Sequence, residues 1–562
     1  MTTRLPSLLL CALAAQAQPP APTPITVIDA VVLDAAGHPV TNLTAADFEI
    51  AAAGKTVAPL RVTALDNVHH SAATSTSLPA IELTPDQIGR TTVIVIDDLC
   101  LPLEGIRNVR QQVQHFIADL LAPGDQAAIL WTSGGSARDR QITRDRRHLN
   151  QIINSTEYLG STLPSSACAT AAWTTVANAL TGLASLPGRK ALLLMSGDLR
   201  SPAGNAAAQI ERLAAASMTA IYQSSAAETQ FAAFTGGAAG VDLDHVIAET
   251  AAYYLLAVQA PGREVQVHVR RPGVTLRARR ETALPSPPSS FPAPDDAEDA
   301  VIAALNSPFE GSAIGLRITP LFTNTSADGS VLELLCHIDA RDLSYLRDPQ
   351  GRYDLSFEVG AASVVEAGTA GKPVGRSQEL HISPEEYQRA VTEGIVVNLR
   401  LAWGLSPRDV RVIVADHRSG RMGGASAFVQ AHNPAAGTFF LSGIALKGDD
   451  SVKQSAAVRV FPGGSSLTFL YNLYNATVDP EGRSRVQVRS RLFAGGHEAF
   501  VGTPNNVTFE KSTDPRRHQI SGRIILQDSL SPGRYILQVT VTDALAPQPR
   551  TAGQFTAFTV EP

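Results

Sequence analysis

The chain has 562 residues and a formal net charge of −6. This length exceeds what a single hydrophobic core normally serves, so it predicts two to four domains. The small charge argues against a nucleic-acid-binding surface, and beyond the amino terminus no apolar stretch is long enough to predict a membrane span.

The first 17 residues are typical of a secretory signal peptide. A basic residue precedes the short apolar stretch Leu5–Ala15, and Ala15-Gln16-Ala17 has the small residues of a cleavage site. A lipoprotein signal that uses Cys11 is the alternative, although Leu10 stands where such signals carry a small residue. Both interpretations predict a secreted or periplasmic protein.

Residues 18–90 predict a small β module and a linker. Strand-like sequences cover Thr26–Leu33 and Leu60–Thr63, and the turn Ala36-Gly37-His38-Pro39 follows the first of them. The polar stretch Ser71–Ser77 then leads to the next unit.

Residues 91–260 alternate between apolar strand-like runs and helical segments. Thr92–Ile96 consists of five consecutive β-branched residues, which is typical of a strand buried on both faces. Glu104–Leu121 follows with apolar residues at helical spacing, and the alternation continues through Ala191–Met195 to the last strand, Tyr253–Val258. It predicts an α/β fold class with a doubly wound, mostly parallel sheet.

The remainder of the chain predicts β-structure. Residues 261–282 form a two-stranded extension, and residues 283–298 form a Pro/Ser-rich linker. Short alternating strands then recur between Gly and Pro turns. This pattern predicts two β-sandwiches of immunoglobulin-like type, over residues 299–435 and 436–562.

Several motifs of the α/β part occur in the order and spacing of a known family. They are Val93-Ile94-Val95-Ile96-Asp97, Thr174 to Leu180, Pro187 to Ser196, Thr235-Gly236-Gly237 and Tyr253-Tyr254-Leu255-Leu256. With them, the first half of the chain resembles the von Willebrand factor A-related domain of exported, acidobacterial-type bacterial proteins. The resemblance implies partner binding at the strand-end rim, the sheet edge where the carboxyl ends of the parallel strands meet.

Domains of this family often bind a divalent cation at that rim. The ligands are Asp-x-Ser-x-Ser, a Thr and a further Asp, because a hard cation such as Mg²⁺ or Ca²⁺ prefers oxygen. The resemblance implies Asp97 as the first Asp and Thr174 as the Thr, and Asp98 is an additional carboxylate beside them.

Three positions depart from the family's pattern. Leu99 and Leu101 stand at the two Ser positions and offer no oxygen. Gly197 stands at the position of the further Asp, and Asp198 follows one residue late, an offset that can turn a side chain away at a strand end. Two alternatives remain open: an altered cation site, or a site that no longer binds a cation.

Three cysteines remain after removal of the signal peptide. Cys100 follows the central strand and Cys168 precedes a helix, so the expected fold places both at the strand-end rim, whereas Cys336 lies far along the chain. Export permits disulfides. The alternatives are a Cys100–Cys168 disulfide and two separate thiols.

The sequence therefore predicts an exported, non-catalytic interaction or adhesion protein whose partner is a protein or an extracellular polymer. It contains no zinc-protease motif, no phosphate-binding Gly-rich loop and no Ser with a His at a recognisable spacing. One alternative is an extracytoplasmic enzyme or accessory subunit directed at polysaccharide, with the sandwiches as binding modules. Another keeps the interaction role and makes it dependent on a cation.

Overall fold

The protein is described here by a computed structural model. It describes residues 25–52, 54–74, 88–202, 204–226, 229–259, 264–280, 297–325, 329–364, 371–449, 457, 459–527 and 530–562. The predicted signal peptide, with Cys11, and most of the predicted Pro/Ser-rich linker lie outside these residues.

The helices of the described residues are mostly confined to the first half of the chain. Their bounds are α1 Leu103–His115, α2 Arg146–Asn154, α3 Ser165–Leu183, α4 Gly204–Ala216, α5 Thr229–Phe234, α6 Leu243–Glu249, α7 Ala297–Asn306 and α8 Pro384–Glu393. None of them is long and apolar enough to cross a membrane.

The strands are distributed over the whole of the described chain. Those of the first half are β1 Ile25–Leu33, β2 Phe48–Ala52, β3 Lys55–Val57, β4 Arg61–Asp66, β5 Ser71–Thr74, β6 Thr91–Ile96, β7 Gln126–Trp131, β8 Gly134–Ser136, β9 Lys190–Met195, β10 Thr219–Gln223, β11 Ala252–Gln259, β12 Val265–Val269 and β13 Thr275–Ala278. Those of the second half are β14 Leu316–Thr325, β15 Gly329–Ile338, β16 Leu346–Arg347, β17 Tyr353–Ser363, β18 Val374–Ile382, β19 Ile395–Ala402, β20 Arg408–Asp416, β21 Met422–Val429, β22 Phe440–Leu441, β23 Ala445–Gly448, β24 Val460–Pro462, β25 Ser466–Tyr474, β26 Ser484–Ala494, β27 His497–Val501, β28 Asn505–Phe509, β29 Arg517–Ile525, β30 Gly533–Asp543 and β31 Arg550–Glu561.

Strand β6 lies inside a four-stranded parallel sheet of order β10-β9-β6-β7. Its side chains alternate between two apolar cores. Ile94 and Ile96 pack against α1, α2 and α6, while Val93 and Val95 pack against α3 and α4. All six residues of β6 are buried, because helices cover both faces of the sheet.

The predicted fold class, a doubly wound and mostly parallel α/β sheet, is wrong for this chain. About 45% of the protein is strand and 21% is helix, and of the sheets in the described residues only the sheet that contains β6 is parallel throughout. Strand β11, predicted as the last strand of the parallel sheet, instead pairs antiparallel with β1 and β4. A strand buried on both faces has the same apolar pattern in a parallel and in an antiparallel sheet, so the sequence pattern does not distinguish these two arrangements.

The amino-terminal strands and the segment after α6 form one β unit. A five-stranded sheet of order β13-β1-β11-β4-β5 packs on a three-stranded sheet of order β12-β2-β3. A buried ion network, in which Arg189 and Arg279 both contact Asp29, joins this unit to the parallel sheet. Burial opposes ionisation of Asp29, but the two guanidinium groups hold its pKa below the ordinary value.

The second half contains two pairs of sheets, each with its own apolar core. In the first sandwich, β14-β15-β19 lies over β16-β17-β20-β21-β8, with β18 beside β17. In the second sandwich, β22-β25-β23 with β29 lies over β24-β31-β30-β26-β27 with β28. Strand β8 comes from the α/β part. The first sandwich is therefore completed by a segment that precedes its first strand, β14, by almost two hundred residues.

Candidate functional site

The candidate site begins where β6 ends. The backbone N–H of Asp97 still donates to Met195 O of β9 (3.0 Å), and the chain then turns, with the N–H of Leu101 donating to Asp97 O (2.9 Å). This turn places the side chains of Asp97 and Asp98 under the strand-end rim, where they are 2% and 5% exposed.

Two hydroxyl residues that follow β7 hold this carboxylate pair. Thr132 Oγ1 lies 3.1 Å from Asp97 Oδ1 and 3.0 Å from Asp98 Oδ1. Ser133 donates its backbone N–H to Asp98 Oδ1 (2.9 Å) and its hydroxyl to Asp98 Oδ2 (2.5 Å). Both oxygens of Asp98 are therefore hydrogen-bonded within the protein.

Burial keeps the two carboxyl groups protonated to unusually high pH. It raises the pKa of Asp97 to about 7, and the adjacent charge of Asp98 adds to the effect. Burial also raises the pKa of Asp98 to about 6, against the opposing hydrogen bonds from Ser133 and Thr132. Near pH 6 to 7 the two groups hold about one proton between them, as adjacent buried carboxyl groups do.

The remaining residues of the predicted cation site do not complete a ligand set. Thr174 lies half-buried on α3, and Asp198 is exposed after β9, where its Oδ1 accepts from Ser225 Oγ (3.3 Å). Leu99 and Leu101 fill the two Ser positions with buried apolar side chains.

Within the described ranges, no group of three or more His, Cys, Asp or Glu side chains is arranged to hold a metal ion. The donor set at the rim does not fit the cation site of the family that the sequence resembles.

The structure joins Cys100 and Cys168 in a disulfide, with their Cα atoms 6.0 Å apart. The bond links the turn after β6 to the first turn of α3, directly beside Leu99. Cys336 carries a free thiol on β15 and is buried.

The second sandwich covers the strand-end rim. Leu99, together with Leu159 and Ala171, forms an apolar cluster with Phe493 of β26 and Ile536 of β30. Each of the five is at most 5% exposed. The surface that the sequence predicted as a docking rim is therefore an interface within the same chain.

Polar contacts surround this apolar cluster. Glu157 accepts from the backbone N–H groups of Gly495 (3.1 Å) and Gly496 (3.2 Å), which form the turn after β26. Arg107 of α1 donates to Gly496 O (3.1 Å), and Gln538 of β30 donates to Gly160 O. Glu157, Arg107 and Gln538 thus join the α/β part to the second sandwich by polar contacts beside the apolar ones.

The first sandwich reaches the same loops through β8. Strand β8 pairs antiparallel with β21, and Arg138 forms an ion pair with Asp342 (2.6 Å). Gly134 has a φ of +97°, and a Cβ there would lie 2.2 Å from Ser426 O. Glycine is thus required where the loop after β7 meets the first sandwich.

Sequence reasoning missed Thr132 and Ser133 as partners of the carboxylates. The only available signal was their position, directly after a predicted strand that neighbours β6. It also missed the sandwich residues that cover the rim, because nothing local in Phe493 or Ile536 distinguishes an interdomain contact from a sandwich core.

Comparisons with known proteins add little to this geometry. No protein-family model and no curated protein matches the chain. The crystal structure of Bacteroides uniformis β-glucuronidase aligns with 41% of this chain and 26% of its own, at 9% identity and a TM-score of 0.17. A likeness this weak supports no conclusion about function, and membership of the von Willebrand factor A-related family stays a prediction.

Proposed function

We propose that the protein is an exported, non-catalytic binding protein in which the strand-end rim serves as an internal junction. The observation that carries this proposal is the coverage of Leu99, which follows the buried Asp97 and Asp98, by the chain's own second sandwich. A partner that approaches from solvent meets the outer faces of the sandwiches before it meets these residues.

Two features support export and a fixed junction. The Cys100–Cys168 disulfide favours an oxidising compartment, since such bonds rarely persist in the cytosol. The same bond ties α3 to the turn that carries the carboxylates, so the rim presents one surface to the second sandwich.

The test is cosedimentation of the purified, oxidised protein with isolated cell-envelope fractions: protein-rich membrane, peptidoglycan and polysaccharide. We expect saturable retention on one fraction, equal for wild type, Asp97→Asn and the exposed control Asp198→Asn. Retention on no fraction would contradict a binding role. Selective loss in Asp97→Asn, with circular dichroism showing an intact fold, would place the partner at the rim and reject the internal junction.

One observation favours the alternative of an extracytoplasmic enzyme. Two adjacent carboxyl groups with pKa values near 7 and 6 are what acid–base catalysis requires. Their burial opposes it, because a substrate must come within hydrogen-bond reach of the reacting group. Release of reducing sugar from envelope polysaccharide by wild type and not by Asp97→Asn would favour the enzyme.

A further inference from the structure

Three of the protein's ten tyrosines meet at one end of the first sandwich. Tyr345 directly precedes β16, Tyr353 begins β17, and Tyr387 lies near the amino end of α8. The rings of Tyr353 and Tyr387 are stacked, with centroids 4.1 Å apart and planes at 11°, and Tyr345 stands edge-on to both. We call these three residues the tyrosine cluster. All three are half-buried, so the cluster lies at the surface and not in the sandwich core.

Helix α8 adds a ring to this surface without contributing a buried residue to the sandwich. Its first turn is fixed by a capping box. Ser383 Oγ accepts from the N–H of Glu386 (3.2 Å), and Glu386 Oε2 accepts from the N–H of Ser383 (2.8 Å). Because Tyr387 follows Glu386 directly, the cap holds the ring of Tyr387 against that of Tyr353.

The second sandwich contains the same hairpin without these rings. The two hairpins are Asp348-Pro349-Gln350-Gly351-Arg352 and Asp479-Pro480-Glu481-Gly482-Arg483. In both, the Asp N–H donates to the Arg carbonyl (2.9 and 2.8 Å) and the Arg Nε donates to the Asp carboxylate (2.9 and 3.1 Å). Counted from the hairpin, Tyr345 and Tyr353 correspond to Ala476 and Ser484, and the described residues of the second sandwich contain no α-helix to match α8. The hairpin thus forms without the tyrosine cluster, so the fold alone does not explain the three rings.

The polar groups of the cluster differ in whether the protein uses them. The hydroxyl of Tyr345 donates to Ala340 O (2.9 Å). Within the part of the chain that the structure describes, the hydroxyls of Tyr353 and Tyr387 have no hydrogen-bond partner. Arg347 is exposed, and its guanidinium carbon lies 5.9 Å from the centroid of the Tyr353 ring. Two stacked rings are therefore bordered by hydroxyl and guanidinium groups that a ligand can reach.

We propose that the tyrosine cluster binds the sugar rings of an extracellular polysaccharide. A pyranose ring has an apolar C–H face that packs on an aromatic ring, and its edge carries hydroxyl groups that bond to polar groups beside that ring. The cluster and the neighbouring Leu346, which is 54% exposed, are too small for a protein partner, since each protein in a standard interface buries about 800 Å².

The charges near the cluster also bear on the class of ligand. Nucleic-acid bases stack on tyrosine too, but their phosphates require a basic surface. Here Glu385 and Glu386 are exposed beside Tyr387, and the whole protein has a net charge of −6. The inference rests on the binding role proposed above and deepens it, because it assigns the partner to the polysaccharide class and the contact to the first sandwich.

The test is cosedimentation of the full-length oxidised protein with cellulose, insoluble xylan and the envelope polysaccharide fraction. We expect saturable retention of wild type on at least one of them and a loss of tenfold or more in affinity in Tyr387→Ala. The matched control is Phe500→Ala, which removes a ring that is 45% exposed on the second sandwich and should keep the wild-type affinity. Wild-type affinity in Tyr387→Ala, or an equal loss in Phe500→Ala, would overturn the proposal.

Two further variants separate contact with the sugar from a displaced α8. Tyr387→Phe keeps the stacked ring and the helix, so its affinity should stay within threefold of wild type. Arg347→Gln changes an exposed side chain at the edge of the stack, so it should leave the fold intact and lower the affinity at least threefold. Circular dichroism and urea unfolding check the fold of each variant. If Tyr387→Ala loses helix signal, wild-type affinity in Arg347→Gln would overturn the proposal.

The failure of this inference is distinguishable from the failure of the binding role. Retention of wild type and all variants alike on a polysaccharide would overturn the tyrosine site and leave the binding role standing. Retention on the protein-rich membrane fraction alone would do the same, because the partner would then not be a polysaccharide. Retention on no fraction and no polymer would overturn both.

Discussion

At the scale of single residues, the Asp97–Asp98 pair makes stability depend on pH. The pKa of Asp97 rises from 3.8 in an exposed carboxyl group to about 7 in the folded protein. Between these values the folded state holds a proton that the unfolded state has lost. Its contribution to stability is fully present below pH 4 and is lost as the pH rises through 7.

We therefore expect wild type to lose on the order of 2–4 kcal/mol more unfolding free energy than Asp97→Asn between pH 5 and pH 8. Asp97→Asn keeps the side-chain shape without the charge, and other buried groups, such as Asp409 with a pKa raised to about 7 by burial, titrate in both proteins alike. Urea unfolding at the two pH values measures this, with Asp198→Asn as the exposed control that follows wild type. An Asp97→Asn protein with the wild-type pH slope would show that the pair does not set it.

The same residues predict the response to divalent cations. Both Asp98 oxygens accept hydrogen bonds from Thr132 and Ser133, and Leu99 provides no oxygen. Calorimetry with Mg²⁺, Mn²⁺ and Ca²⁺ should accordingly give no saturable heat that depends on Asp97. A saturable heat that disappears in Asp97→Ala would restore the cation-dependent interaction role.

At the scale of elements, β8 is short and glycine-rich, yet it completes the sheet of the first sandwich. Gly134→Ala would push a Cβ against Ser426 O in a backbone conformation that favours glycine. We expect it to destabilise the protein by about 1–3 kcal/mol. Gly197→Ala is the matched control, because a Cβ there meets nothing within 4 Å. Equal urea midpoints for the two variants would contradict the required close approach.

The elements also show how far the sequence could be interpreted. The run Thr92–Ile96 identified a strand covered on both faces, and the position of Asp97 after it followed directly. Strand β11 is just as apolar, but its partners β1 and β4 lie about two hundred residues away in the chain. The periodicity of apolar residues indicates burial but not the direction of the neighbouring strand. The sequence pattern therefore wrongly placed β11 in the parallel sheet.

At the scale of the whole molecule, the covering of the rim depended on contacts that no local pattern encodes. Leu99 was noted as a departure from a ligand position, and the structure gives that departure a physical reason: the side chain packs against Phe493 and Ile536. The sequence shows that Leu99 cannot supply an oxygen ligand. It does not show what the Leu99 side chain packs against, because that depends on how the domains are arranged.

The interface at the rim should couple the unfolding of the α/β part to that of the second sandwich. Phe493 packs edge-on against Tyr158, with ring centroids 5.0 Å apart, and is 3% exposed, whereas Phe500 on the neighbouring strand β27 is 45% exposed. Phe493→Ala should cost about 3–5 kcal/mol through the cavity it leaves. In differential scanning calorimetry we expect the shared transition to split in this variant, because the second sandwich loses its largest anchor on the rim.

Phe500→Ala is the control, and it should melt as wild type does, with no added transition. A single, unshifted transition in Phe493→Ala would mean that the polar contacts of Glu157 and Arg107 hold the junction without the apolar cluster. A split already present in wild type would mean that the two parts unfold independently. The rim would then be open to a partner once the second sandwich has melted, which the internal-junction proposal excludes.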